Sequence, residues 1–288
     1  MDIVIQLLLN SLITGSIYTM IAIGFNLIFS TVKFFDLGAG AMSVIGGYSV
    51  FFLAQKSGLD LTVAIIISVL FTGFIGYLVN KLVYTKLRKN NASGMSYLVA
   101  SLGVSTVIQA IIAIIFTSQF YTLSNLVPSE VLDVFGGSVT YVQIGIFISG
   151  IVVMTTLALV MKYTMFGKAV KAISDDEEVS KIVGINTSKI IGRVFFIGSA
   201  VCGLAGILIG LDTGIEPTMG FALLLKGVIA AIIGGVGNIY GGVLGAFLLG
   251  LVENFGIWQI SGEWKDAISF SVFIIFLLFR PRGILGKK

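Results

Sequence analysis

Long apolar stretches alternate with short polar breaks along the entire chain. They lie at about 5–30, 37–54, 61–83, 96–116, 141–161, 192–211, 221–235, 241–257 and 266–280. Crossing the hydrocarbon core as a helix takes roughly 20 apolar residues, a length most of these stretches approach. The pattern predicts an all-α fold, a polytopic transmembrane helical bundle of about nine hydrophobic segments, with residues 1–288 in a single membrane domain. The first segment reads as a span and not as a cleavable signal. It carries Asp2 where a secretory signal has a basic region, and no small-residue cleavage site leads into a hydrophilic domain.

Two stretches depart from plain spans. Residues 221–235 are short for a crossing and run into Gly234-Gly235-Val236-Gly237-Asn238; Lys33-Phe34-Phe35-Asp36-Leu37-Gly38-Ala39-Gly40 is a charged, glycine-rich interruption between the first two segments. Both predict broken or re-entrant helices, near 33–40 and 234–238, because unwound backbone at membrane depth is tolerated where protein or water can satisfy it. Gly198, Cys202, Gly206, Gly210 and Gly214 recur every four residues, as do Gly237, Gly241 and Gly245. Such G-x-x-x-G faces let backbones approach closely. Their plainer use is packing within one chain; the other is dimerisation or lining a pathway.

Composition agrees with the pattern: 57% hydrophobic, 11% charged, 36 glycines and a mean hydropathy of +1.06, far from the balance of a soluble domain. Lipid is therefore the solvent for most of the chain. Net charge +4 does not mark nucleic-acid binding, since the basic residues cluster between apolar spans. They act as topology determinants, because lysine and arginine are retained on the cytoplasmic side. The stretch 81–96 carries Lys81, Lys86, Arg88 and Lys89; the stretch 162–193 carries Lys162, Lys168, Lys171, Lys181, Lys189 and Arg193; the end carries Arg280, Arg282, Lys287 and Lys288. Residues 117–140 hold Glu130 and Asp133 but no lysine or arginine, and 212–220 hold only Asp212 and Glu216. This distribution predicts an extracytoplasmic N-terminus and a cytoplasmic C-terminus.

Little in the chain points to catalysis. There is no histidine, Cys202 is the single cysteine, and no Walker A motif is present: Gly167-Lys168 is followed by Ala169, with Lys162 where the first glycine would stand. No metal or cofactor site is expected in this chain, and it is read as no enzyme. Any ATP and Mg would be bound by a partner. The hydrophilic loop of about 162–192 does carry helix signals. Ser174 and Glu177 form a capping-box pattern, Asp175 to Glu178 suit the positive end of a helix dipole, Glu177 and Lys181 are spaced i, i+4, and Gly184 suits a left-handed stop. So short a helix is marginal alone and needs a surface, either its own protein or a partner's groove. Lys226 and Glu253 fall inside apolar segments. Ionisable groups there tend to be paired or functional, unless they are shallow enough to snorkel.

Gly24-Phe25-Asn26-Leu27-Ile28-Phe29, followed by Asp36-Leu37-Gly38-Ala39-Gly40-Ala41 and Gly46-Gly47-Tyr48, resembles the first-span signature of branched-chain amino-acid ABC-transporter permeases. Its usual form is close to G-L-N-L-I-x-G, N-F-A-H-G-A and G-A-Y. Gly167-Lys168-Ala169-Val170-Lys171-Ala172 with Asp176, Glu177 and Gly184-Ile185 looks like the family's cytoplasmic loop. Leu225-Lys226-Gly227 through Gly234-Gly235-Val236-Gly237 to Gly241-Gly242 and Gly245, and then Arg280-Pro281-Arg282-Gly283, are similar to its later elements.

The resemblance implies a permease domain of a binding-protein-dependent ABC importer, moving branched-chain or related amino acids across the cytoplasmic (inner) membrane. Its implied partners are two ABC ATPase subunits, a second related permease or a second copy, and an extracytoplasmic solute-binding protein. Gly167, Lys168, Ala169, Lys171, Ala172, Asp176, Glu177 and Gly184 would form the ATPase-coupling loop. Asn26, Asp36, Gly40, Lys226, Gly234, Gly235 and Glu253 are the candidate pathway residues. Asp36 and Ala39 stand where the family usually has asparagine and histidine, so the substrate could differ. Relatives import urea, amides or sugars. A self-sufficient ion-coupled secondary transporter is the rival from another class, and would bury paired carboxylates or a basic–acidic relay. An intramembrane enzyme is the third reading.

Overall fold

The computed structural model describes residues 3–127, 130–258, 260–280 and 283–285. Asp2, Pro281, Arg282, Lys287 and Lys288, which entered the signal, topology and C-terminal motif readings, lie outside the described residues.

Each of the expected apolar segments is a helix. In chain order they are α1 (Ile3–Val32), α2 (Gly38–Val50), α3 (Leu61–Val79), the short α4 (Thr85–Lys89), α5 (Gly94–Phe116), α6 (Tyr141–Tyr163), the loop helices α7 (Met165–Asp175) and α8 (Glu177–Ile182), then α9 (Thr187–Asp212), α10 (Met219–Gly234), α11 (Ile239–Gly256) and α12 (Lys265–Phe279). π-helical turns at Phe51–Lys56 and Asn80–Tyr84 extend α2 and join α3 to α4. Among the described residues, seven helices are long and apolar enough to cross a membrane. α10 and α12, at 16 and 15 residues, are shorter.

Local chemistry sets where the helices begin. The Asp60 carboxylate accepts the N–H groups of Thr62 and Val63 to open α3, Thr140 and Gln143 form a capping box at α6, and Asn186 caps α9. The capping box expected at Ser174 and Glu177 does not form. Thr164 accepts the Gly167 N–H and starts α7 earlier, so Ser174 falls within that helix, and Asp176 caps α8 instead, accepting from Glu178 and Val179. A carboxylate beside the first turn serves the helix dipole better than a hydroxyl two residues further back. One small sheet departs from the all-α expectation. Val131–Val134 pairs antiparallel with Gly137–Thr140 across a turn at Phe135 and Gly136, both at positive φ. Gln6 of α1 exchanges two hydrogen bonds with Ser138 of this hairpin.

α1 and α9 are buried along most of their length and form the centre, with α2, α10 and α11 packed around them. α3, α5 and α6 present apolar rims such as Ile66, Phe74, Ile114 and Leu159, which suits a lipid surround. The small-residue stripes are spent inside the chain. Gly24 faces Gly198 and Cys202, Gly46 faces Gly203, Gly206 faces Ser43, and Gly245 faces Ala230, each with no room for a side chain. Gly214 and Gly237, although they keep the four-residue spacing, lie in turns at positive φ.

Candidate functional site

The break expected at 234–238 is a hairpin turn and not a kink in one helix. Gly234 lies against Gly241 and Ala230 against Gly245, so α10 and α11 run antiparallel with backbones in contact. Gly235 (φ 113°) and Gly237 (φ 82°) reverse the chain in a conformation that side chains disfavour. The turn is clamped from α1: Asn26 Oδ1 accepts the Gly237 N–H at 2.9 Å and Asn26 Nδ2 donates to the Asn238 carbonyl at 3.1 Å. Asn238 caps α11 through the N–H groups of Tyr240 and Gly241 and donates to the Leu285 carbonyl. The first break lies at 33–37, where Lys33 takes a positive φ. Asp36 Oδ1 accepts the Gly38 N–H at 2.9 Å and the Tyr84 hydroxyl at 2.6 Å. Asp36 sits in this link, outside both helices, and burial pushes its carboxyl up to about 6, against the pull of those two donors. Gly40 then meets the start of α10, its backbone against Gly220.

Lys226 and Glu253 face one another. The Lys226 ammonium is 2.6 Å from Glu253 Oε1 and 2.8 Å from Asp266 Oδ1, and it donates to Ser269 Oγ at 2.7 Å. Glu253 also accepts from the Tyr18 hydroxyl at 2.7 Å and from Ser269 Oγ, and Lys265 lies 3.6 Å from it. Glu253 is fully buried and Lys226 is 8% exposed. The side chain of Asp266 is 71% exposed.

The coupling-loop candidates lie apart from these residues. Gly167 packs on Met161, while Val170 and Ile173 bury one side of α7 against the bundle. On α8 the Glu177–Lys181 pair forms at 2.9 Å and Gly184 takes φ 88°, as the spacing predicts. Its apolar side is uncovered: Val179, Ile182 and Val183 are 53%, 84% and 69% exposed. A cavity of about 930 Å³ is lined by Lys171 and Ser174 of α7, by Gly237, Asn238 and Tyr240 of the hairpin turn and the start of α11, and by Ser30 of α1.

The profile of the family described as "Branched-chain amino acid transport system / permease component" matches residues 7–277. The chain belongs to that family. The branched-chain amino acid permease protein BraD of Pseudomonas aeruginosa is 33% identical, over 98% of this chain and 96% of its own. LivH of Escherichia coli, a permease protein of a high-affinity branched-chain amino acid transport system, is 30% identical over the same shares. Among solved structures, PsaBC from Streptococcus pneumoniae in complex with Fab shares the fold, with a TM-score of 0.53 at 15% identity, over 95% of this chain and 91% of that one.

In this permease the candidate pathway residues are spread along one short helix. Gly40 touches the start of α10, Lys226 lies midway with Glu253, and Gly234, Gly235 and the Asn26 clamp stand at its end. Asp36 holds the N-terminus of α2 and joins neither group. The sequence reading missed Tyr18, Lys265, Asp266 and Ser269. Lys265 and Asp266 open the last apolar segment, where charge looks like an ordinary helix start. The Ser269 hydroxyl also reaches back to the Lys265 carbonyl, a bond that serine makes in many helices.

Proposed function

We propose that this permease forms, with a second copy or a related chain, the membrane pathway of an ATP-driven importer of branched-chain or similar amino acids. Two ABC ATPases bind ATP and Mg and supply the work, and an extracytoplasmic binding protein supplies the substrate; the permease itself is a non-catalytic domain of the cytoplasmic membrane with no cofactor of its own. The observation that carries this reading is the loop of α7 and α8. It has one side seated on the bundle and one apolar side, Val179, Ile182 and Val183, open to a partner. The basic residues around it support a cytoplasmic position, with the N-terminus outside. Across the cavity from α7 stands the Asn26-clamped turn, so a push on α7 has the pathway candidates within reach.

The test is reconstitution with the ATPases and binding protein in liposomes. Radiolabelled leucine should accumulate only with ATP and both partners present. A second reading, an ion-coupled transporter, draws on the buried Lys226–Glu253 pair and the Lys265 and Asp266 charges beside it. Accumulation by the permease alone under a proton or sodium gradient would favour it and overturn the first.

A further inference from the structure

We propose that the Lys226–Glu253 cluster reads the two charged ends of a zwitterionic amino acid. The Lys226 ammonium takes the substrate carboxylate, and Glu253 with Asp266 takes the substrate ammonium. This rests on the import function proposed above and deepens it.

The cluster joins four helices: Tyr18 comes from α1, Lys226 from α10, Glu253 from α11, and Lys265, Asp266 and Ser269 from α12. It holds two positive and two negative groups. Its bonds are redundant. Lys226 reaches both Glu253 and Asp266, and Glu253 keeps Tyr18, Ser269 and Lys265 when Lys226 turns away. Exchange therefore leaves no buried charge alone, the state that makes broken ion pairs costly. One wall is open, since Asp266 is largely exposed and Lys265 partly so, whereas Glu253 is sealed. The helix that closes the cluster is lightly held, with Ser269 its only fully buried residue among those described.

Charge balance sets the class of ligand. A zwitterion replaces the Lys226–Glu253 and Lys226–Asp266 pairs with contacts from its own carboxylate and ammonium, with no change in net charge. A sugar, urea or an amide has no ionic group to replace the pair it would disrupt, and a simple amine or carboxylate leaves the site with an excess charge. Fastening helices does not require this arrangement, because apolar packing of the same volume serves stability equally well.

The complete importer in liposomes tests the proposal. The double variant Lys226→Met/Glu253→Leu removes both charges and leaves none unpaired between them. It should still co-purify with its ATPases, while leucine uptake falls at least about tenfold, the loss expected for a desolvated charge contact. Lys226→Arg, which keeps the carboxylate partner, should recover most of the uptake, a rescue that a packing role would not demand. A diazirine analogue of leucine should label α10, α11 or α12 in the wild-type complex during turnover. Normal uptake by the assembled double variant overturns the proposal. Should that variant not assemble, labelling decides: label confined to other helices overturns the assignment, and label on these three supports it. Failure of the wild-type importer to take up leucine overturns the import reading instead.

Discussion

Asn26 ties α1 to the turn between α10 and α11. Its Oδ1 satisfies the Gly237 N–H in a turn where no regular ladder can, and its Nδ2 adds a second donor to the Asn238 carbonyl, which also accepts the Gly242 N–H. Asn26→Ala leaves the Gly237 N–H without a partner, while the Asn238 carbonyl keeps the Gly242 N–H; the change should cost about 1–3 kcal/mol, read as a lower unfolding midpoint of the detergent-solubilised permease, and an unchanged midpoint contradicts the clamp. Asp36 makes a different case. Its carboxyl titrates from an ordinary value of 3.8 to about 6 in the fold, so the folded state holds its proton more tightly than the unfolded one. Stability then falls as pH rises through that window. The Asp36→Asn variant, which keeps the acceptor for Gly38 and Tyr84, carries no such penalty. Its midpoint should gain on the wild type between pH 4 and 6, within the interval those two values bracket, and Asp36→Ala should lie below both.

At the scale of elements, α8 is the clearest case. Gly184 takes φ 88° and a side chain there would meet nothing within 4 Å, so Gly184→Val acts through backbone strain alone, at about 1–2 kcal/mol. Membrane insertion should survive, and co-purification of the ATPase, with substrate-stimulated ATP hydrolysis, should fall. Ile182→Asp, which puts charge on the 84% exposed apolar face, should weaken co-purification without altering the unfolding midpoint. Retention of the ATPase by both variants would remove α8 as the contact. The ion pair and stop of this helix could be read from spacing because they depend on neighbours three or four residues apart. Its start could not, since Ser174 and Asp176 are both good caps and the choice turned on Thr164 ten residues earlier. The hairpin of α10 and α11 was legible as a glycine break, but its reversal was not. A run of glycines permits either a kink or a turn, and contact between Ala230 and Gly245 decides it. The partners of Glu253 were illegible because they come from distant segments: Tyr18 lies 235 residues from it in sequence.

For the whole molecule, the orientation inferred from lysine and arginine can be checked with the chain's own chemistry. Cys202 is its single cysteine and fully buried, so an impermeant maleimide has no background target. Phe135→Cys, at the 89% exposed tip of the hairpin beside Gln6, should label in intact cells, and Ile182→Cys only after permeabilisation. The reverse result would invert the bundle and move α8 away from any cytoplasmic ATPase. At this scale α10 acquires a mechanical meaning. From Lys226 to Gly234 it is a rod of about 12 Å, at roughly 1.5 Å per residue, held by the ionic cluster at one end and by the α1 clamp just beyond the other. A hydrogen-bonded rod tilts far more readily than it stretches. Displacement of the turn across the cavity from α7 would therefore be a lever stroke, felt midway along α10 as a change of leverage on Lys226. Gearing of that kind makes the two events one: idle strokes without cargo have little slack in which to occur.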